Sequence, residues 1–341
     1  MMTPFLFRSL TFPSLVLRKA LRLFCQIITL TGLLPCISIA GEWPLPTIAI
    51  IIDDMGNHQQ IGAELATLPF PLTLSFLPHR KHTQTLAKLA HEHQKGIMLH
   101  MPMANTKGLR LGPGALQGGM TQVNFTRTLR TAIQSVPHLQ GLNNHMGSQL
   151  TQQTLEMNWL MTTLQHYPLY FVDSRTIAST IAAKVAQQHG IPTLSRDVFL
   201  DHQISKHHIQ LMFERLLSLA RKNDYAIAIG HPHPETLAVL KEQLPLLGEK
   251  GFAIATINGL WELANPGKKM YANRPAPETQ AQFDSLGKAA LRFGKDAGNH
   301  TQSTANSSLK SASAKHLNAP ESQPYPTWEE IIARKSTPRP K

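Results

Sequence analysis

The sequence predicts an α/β domain built as a complete or distorted (β/α) barrel. Apolar runs of strand length alternate with helix-like segments roughly eight times over about 220 residues, as such a barrel requires. Several of these runs lack polar alternation, as expected where a parallel sheet is covered on both faces. No Gly-x-Gly-x-x-Gly follows the first strand, which argues against a dinucleotide-binding sheet. An open doubly wound sheet is the alternative, and no internal repeat is visible.

In chain order the expected strands are 47–52, 72–77, 96–101, 141–146, 169–174, 192–197, 225–230 and 252–257. Helices are expected near 57–67, 80–94, 124–135, 152–165, 176–188, 205–222 and 233–248. In the sixth of these, helical spacing puts Leu211, Phe213, Leu216, Leu217 and Ala220 toward a core.

The chain ends differ from this middle. Residues 1–40 carry Arg8, Arg18, Lys19 and Arg22, no acid, and then the apolar run "LFCQIITLTGLLPCISIA". Ser38 and Ala40 supply small residues where a signal peptidase reads, so a signal peptide cleaved after Ala40 is expected, with an uncleaved anchor as the alternative. That expectation places the mature protein in the periplasm and confines any membrane contact to an uncleaved leader. Cys25 and Cys36 both fall inside the leader, so the mature chain has no thiolate for catalysis or zinc and no disulfide. Of the net charge of +12, the leader contributes +4 and residues 266–341 contribute +6, leaving +2 for residues 41–265. The basicity belongs to the ends, which excludes nucleic acid as the main partner. The tail is rich in Gly, Ser, Asn, Gln and Lys and is expected to be disordered, apart from a short helix near "YPTWEEIIARK".

In a (β/α) barrel the active site lies at the carboxyl ends of the strands. Those positions here carry Asp53, Asp54, His100, His145, Asp173, Asp197, Asp201, His231 and His233. Each also has a structural explanation. Asp54 ahead of Met55-Gly56 suits a turn cap, His100 a satisfied core histidine, His145 a turn network beside Asn144, and Asp173 a helix cap. His231 and His233 alternate with Pro232 and Pro234, which describes a rigid loop aiming imidazoles. His91, His93, His207 and His208 fall on polar helix faces and are expected to be solvated.

Taken together, a carboxylate and two or three histidines suit zinc or a similar divalent ion, with a second carboxylate free as base. Adjacent strand residues point to opposite faces, so Asp53 and Asp54 cannot both chelate one ion within the ladder; at the strand's end one can bind the metal while the other stays free as base.

The segments "IAIIIDDMG", "LHMPM", "GLNNHMGS", "YFVDSRT", "RDVFLD" and "AIAIGHPHPET" resemble, in order and spacing, the divergent polysaccharide deacetylase family. The resemblance covers about residues 46–262 and implies a deformed (β/α) barrel of the glycoside hydrolase/deacetylase type in residues 41–265. It implies metal-dependent hydrolysis of acetyl groups on a carbohydrate polymer such as peptidoglycan or another envelope glycan. Carried over, Asp53 resembles the catalytic base, Asp54 a metal ligand and His100 the first histidine of the second motif. Position 104 is Ala, where the second histidine is expected, and His145 on the next strand is the substitute. His231 resembles the acid that protonates the leaving amine, with Asp197 or Asp201 orienting its ring; Asp197 is taken as catalytic. Asn144, Asp173, Asp201 and His233 are expected to bind substrate or support the site. "NNHMGS" stands where an Arg-Pro-Pro-Tyr type motif is expected, which keeps open a non-catalytic glycan- or partner-binding role and hydrolysis of another amide or ester.

Overall fold

The computed structural model describes residues 45–268 and 270. The expected signal peptide, both cysteines, the expected helix near the end of the chain and the tail beyond residue 270 lie outside the described residues.

Nine strands form one sheet among the described residues: β1 (Thr47–Met55), β2 (Thr73–Phe76), β3 (Gly96–Met103), β4 (Gly141–Met146), β5 (Tyr170–Asp173), β6 (Thr193–Ser195), β7 (Val198–Phe199), β8 (Tyr225–Gly230) and β9 (Ala253–Ile254). Between and after them run helices α1 (Gln59–Thr67), α2 (Thr83–Glu92), α3 (Gln122–Ser135), α4 (Thr154–Leu164), α5 (Ala182–Gln188), α6 (Lys206–Asn223), α7 (Pro234–Gln243) and α8 (Ile257–Ala264). The strand order is β6-β5-β4-β3-β2-β1-β8-β7, and every pairing is parallel. β9 pairs with Thr47 and Ile48 of β1, below the point where β2 joins at Ile51.

The two outer strands of this order, β6 and β7, are consecutive in the chain and separated only by Arg196 and Asp197. Three Cα steps reach at most about 11 Å. Both sheet edges must therefore meet, and the sheet curls into a deformed (β/α) barrel. Arg196 N donates to Asp173 O at 3.0 Å on one side of the seam, and Asp197 N to Ile227 O at 2.9 Å on the other.

Alternation sorts the strand residues onto two faces. Ile48, Ile50 and Ile52 of β1, with Leu74, Phe76, Leu99, Leu142 and Phe171, pack outward under the helices. Each fully buried isoleucine stabilises the fold by about 1.5–3 kcal/mol. Ala49, Ile51, Met98, Tyr170, Val172, Ile227 and Ile229 fill the barrel interior, joined by Ile257, Leu260 and Trp261 of α8. Gly141 is needed there, because a Cβ would stand 2.2 Å from the Tyr170 ring.

Four expectations change. The strand expected over 192–197 stops at Ser195, and a new one begins at Val198. The strand expected over 252–257 is two residues long, because Thr256 caps α8 by accepting from Gly259 N at 3.2 Å. The helix expected from 176 begins at Ala182. In α6 Leu211 is exposed, and Ile209 takes the core position with Phe213, Leu216, Leu217 and Ala220. Counting the apolar face from Ser205, which caps the helix by accepting from His208 N, recovers that choice.

Candidate active site

The interior turns polar at the carboxyl ends of the strands. In register, Ile51 faces Thr73, Ser75 faces Met98, His100 faces Asn143 and Pro102 faces His145. Period-two alternation from these pairs puts Ser75, His100, Asn143 and His145 on one inner rim beside Asp53.

Asp53 and Asp54 share that rim because β1 is bulged there. Between the Ile52–Leu74 and Met55–Phe76 pairs, β1 has two residues where β2 has one. Asp54 takes φ 56, a left-handed conformation that Asp tolerates better than most side chains. The bulge thus does inside the strand what the sequence reading expected only at its end. Met146 (φ 54) and Arg175 (φ 47) repeat the left-handed turn just past His145 and Asp173. Unfavourable backbone of this kind collects at functional sites.

Asp54, His100 and His145 converge on one point. Asp54 Oδ1 lies 3.3 Å from His100 Nε2 and 3.0 Å from His145 Nδ1, and those two nitrogens are 3.1 Å apart. A tetrahedral ion bonded at ~2.0–2.1 Å sets its ligand atoms about 3.3–3.4 Å apart, so the triangle matches a three-ligand site with an open position. Asp54 Oδ1 is buried and, among the described residues, has no hydrogen-bond partner. An orphaned anionic oxygen is costly unless a cation meets it. The donor set and the orphaned oxygen fit a divalent metal.

Asn143 holds this group together. Its Oδ1 accepts from His100 Nδ1 at 2.8 Å and from Ser75 Oγ at 2.7 Å, while its Nδ2 donates to Asp53 Oδ1 at 2.8 Å. Because Asn143 Oδ1 can only accept, His100 carries its proton on Nδ1 and turns the Nε2 lone pair to the triangle. Among the described residues no hydrogen bond reaches Asp53 Oδ2.

The electrostatics divide the two carboxylates. Burial raises the Asp53 pKa above the usual range, against the pull of His100 and His231. Burial would raise Asp54 as well, but the charge of His145 and the close approach of His100 hold it well below that range. One acid is thus biased toward taking a proton and the other toward staying charged. His100 is raised despite burial, first by Asp53 and then by Asp54.

Just past β8, the His231 Nδ1 is 2.8 Å from Asp201 Oδ1, while Asp201 Oδ2 accepts from the His231 backbone and from Thr236 Oγ1. Burial lowers the His231 pKa, but the Asp201 bond and charge outweigh it and bring it to about 9. Gly230 permits this approach, since a Cβ there would stand 3.2 Å from Asp201 Oδ2. His233, at the start of α7, has its ring centre 6.0 Å from that of His231. Asp201, His231 and His233 also form a group of possible ligands, but both Asp201 oxygens are engaged in holding His231.

The remaining expected site residues lie elsewhere. Asp197 lies between β6 and β7 rather than ending β6, and its Oδ2 accepts from Ile227 N at 2.8 Å. Asp201 reaches His231, four residues beyond Ile227 and just past the end of β8, or about 13 Å at the rise of a strand. Asp197 therefore meets β8 at mid-strand, and Asp201 is the carboxylate that orients His231. Asn144 points away from the rim. Its Nδ2 donates to Met146 O and its Oδ1 accepts from Ser174 N, which ties β4 to β5. Asp173 caps the approach to α5, accepting from Arg175 N, Thr180 Oγ1 and Ala183 N. Asn143 and Ser75 were not anticipated. Asn143 stands two residues before His145, so the alternation that turns His145 inward turns Asn143 inward as well.

The strand ends of a deformed (β/α) barrel thus carry a candidate metal triad and a His–Asp pair. Residues 50–261 match the model of the divergent polysaccharide deacetylase family, and the chain belongs to that family. It is 36% identical to YibQ of Escherichia coli over 197 residues, covering 58% of this chain and 62% of YibQ. It is 34% identical to a protein of Haemophilus influenzae over 245 residues, covering 70% of this chain and 87% of that protein. The crystal structure of protein ATU2773 from Agrobacterium tumefaciens superposes with a TM-score of 0.61 at 21% identity, covering 65% of this chain and 91% of that one, a likeness of fold.

Proposed function

We propose that the domain is a metal-dependent deacetylase that removes acetyl groups from an envelope carbohydrate such as peptidoglycan. The observation that carries this reading is the Asp54–His100–His145 triangle with its orphaned carboxylate oxygen, set beside Asp53 and the His231–Asp201 pair. Family membership supports the acetylated carbohydrate, and the basic-then-apolar leader supports a periplasmic site of action.

Asp54 Oδ1, His100 Nε2 and His145 Nδ1 would hold the ion, with zinc the best fit to a two-histidine, one-carboxylate set. When bound it supplies Lewis-acid polarisation of the acetyl carbonyl and acidifies water. Asp53 Oδ2 takes the proton of the attacking water, and its raised pKa suits that duty. Asn143 keeps the other Asp53 oxygen in place. His231, protonated near neutrality and fixed at Nδ1 by Asp201, gives its Nε2 proton to the leaving amine as the C–N bond breaks. Acetate and a free amino sugar result.

The test is acetate release from acetylated oligosaccharides and peptidoglycan fragments by the metal-loaded protein. Release that disappears in Asp53→Asn while metal stays bound is expected. Glycan binding without release would instead favour a non-catalytic glycan-binding module on the same barrel.

A further inference from the structure

Arg196 sits at the barrel seam and has no role in the chemistry above. Its guanidinium lies 3.6 Å from the centre of the Phe199 ring, and Phe199 packs against the inner cluster. Nε donates to Ser174 O at 2.7 Å and Nη2 to Arg175 O at 2.9 Å. These carbonyls follow the carboxyl end of β5, and the Ser174 backbone is bonded to Asn144, the neighbour of His145. The guanidinium therefore stands on the same rim as the metal triangle.

The side chain is half-buried, yet no ion pair among the described residues includes it. Asp197, Asp173 and Asp53 act on its charge only from a distance, and burial together with Arg175 pulls its pKa down to about 10. Asp173 spends its oxygens on the α5 approach, and Asp197 spends Oδ2 on the Ile227 amide. Two backbone carbonyls occupy the Nε/Nη2 edge, so the Nη1/Nη2 end keeps an unused fork. A guanidinium fork matches a carboxylate or phosphate with two parallel hydrogen bonds, and pre-ordering lowers the entropy lost on binding.

We propose that Arg196 anchors an anionic substituent, carboxylate or phosphate, carried by the glycan close to the sugar held at the metal triangle. The identity of the ligand as a glycan rests on the deacetylase reading; the anion anchor itself rests on the seam geometry.

The test is binding, measured calorimetrically on the full chain, so it does not depend on turnover. Three oligosaccharide probes of equal length are compared: a neutral N-acetylated one, one bearing carboxylates, and one bearing phosphates. The wild type should bind one anionic probe at least tenfold more tightly than the neutral probe at low salt, and the preferred probe identifies the anion. Arg196→Gln should lose that preference and bind the neutral probe like the wild type. Arg196→Lys keeps charge and stem but not the fork, and should retain only part of the preference, which also decides the matter if the glutamine variant does not fold. Equal binding of all three probes, absence of binding, or full preference in either variant overturns the proposal. An Arg196-dependent preference without acetate release would overturn the deacetylase reading and leave the anchor standing.

Discussion

Asn143 donates from Nδ2 to Asp53 Oδ1 at 2.8 Å. The same amide accepts from His100, so one residue links the expected base to an expected metal ligand. Asn143→Ala should weaken metal binding by about 10–100-fold, the usual effect of losing a partner that orients a ligand. It should also lower the rate, by freeing Asp53. Metal competition against a chelator measures the first effect, and acetate release at saturating metal the second.

The bulge at Asp54 makes a separable prediction about stability. Asp54→Asn keeps a side chain that tolerates the left-handed backbone, whereas Asp54→Ala does not. In the metal-free protein the alanine variant should be less stable than the asparagine variant by ~1 kcal/mol in urea unfolding, while both lose stoichiometric metal.

The His231–Asp201 pair sets a pH dependence. His231 has a folded pKa of about 9, above its ordinary value of 6.5. A raised histidine contributes stability that is fully present below the unfolded pKa and is lost as pH rises through the folded one. For the metal-free protein this loss falls between about pH 6.5 and 9, with a size of roughly 3 kcal/mol. Asp201→Asn removes the largest support of the raised value. It should flatten that part of the stability profile and move the basic limb of the activity profile to lower pH.

Asp197 and Asp173 provide controls. Asp197→Ala should leave metal affinity and activity unchanged, because its carboxylate is bonded to the Ile227 amide in the middle of β8 and not to His231. Asp173→Ala should destabilise the fold by about 1–2 kcal/mol through lost caps and leave metal content intact. A large loss of activity in Asp197→Ala would return that residue to the catalytic group.

Much of this arrangement is legible in the sequence, for identifiable reasons. The run "TIAIII" is buried on both faces, so its strand shows as unbroken apolar residues, and His100 and His231 follow similar apolar runs, while His145 follows Asn143 and Asn144. The chain crosses the barrel seam within Arg196 and Asp197, too short a step to leave a turn signal, so the start of one strand looks like the end of another. Asp197 stands at that seam, bonded to the Ile227 amide of β8. The choice between Asn143 and Asn144 depends only on the parity of β4, and His145 supplies it. The left-handed Asp54 has no sequence mark beyond the tolerance of Asp for that backbone, and it shows only in the register slip against β2.

The convergence of Asp54, His100 and His145 on one ion is the central claim, and metal stoichiometry of the purified protein tests it most directly. One zinc or similar divalent ion per chain is predicted, lost in both Asp54→Asn and His145→Ala while circular dichroism shows the fold retained. A wild-type protein that takes up no ion, or variants that still hold one, would contradict it.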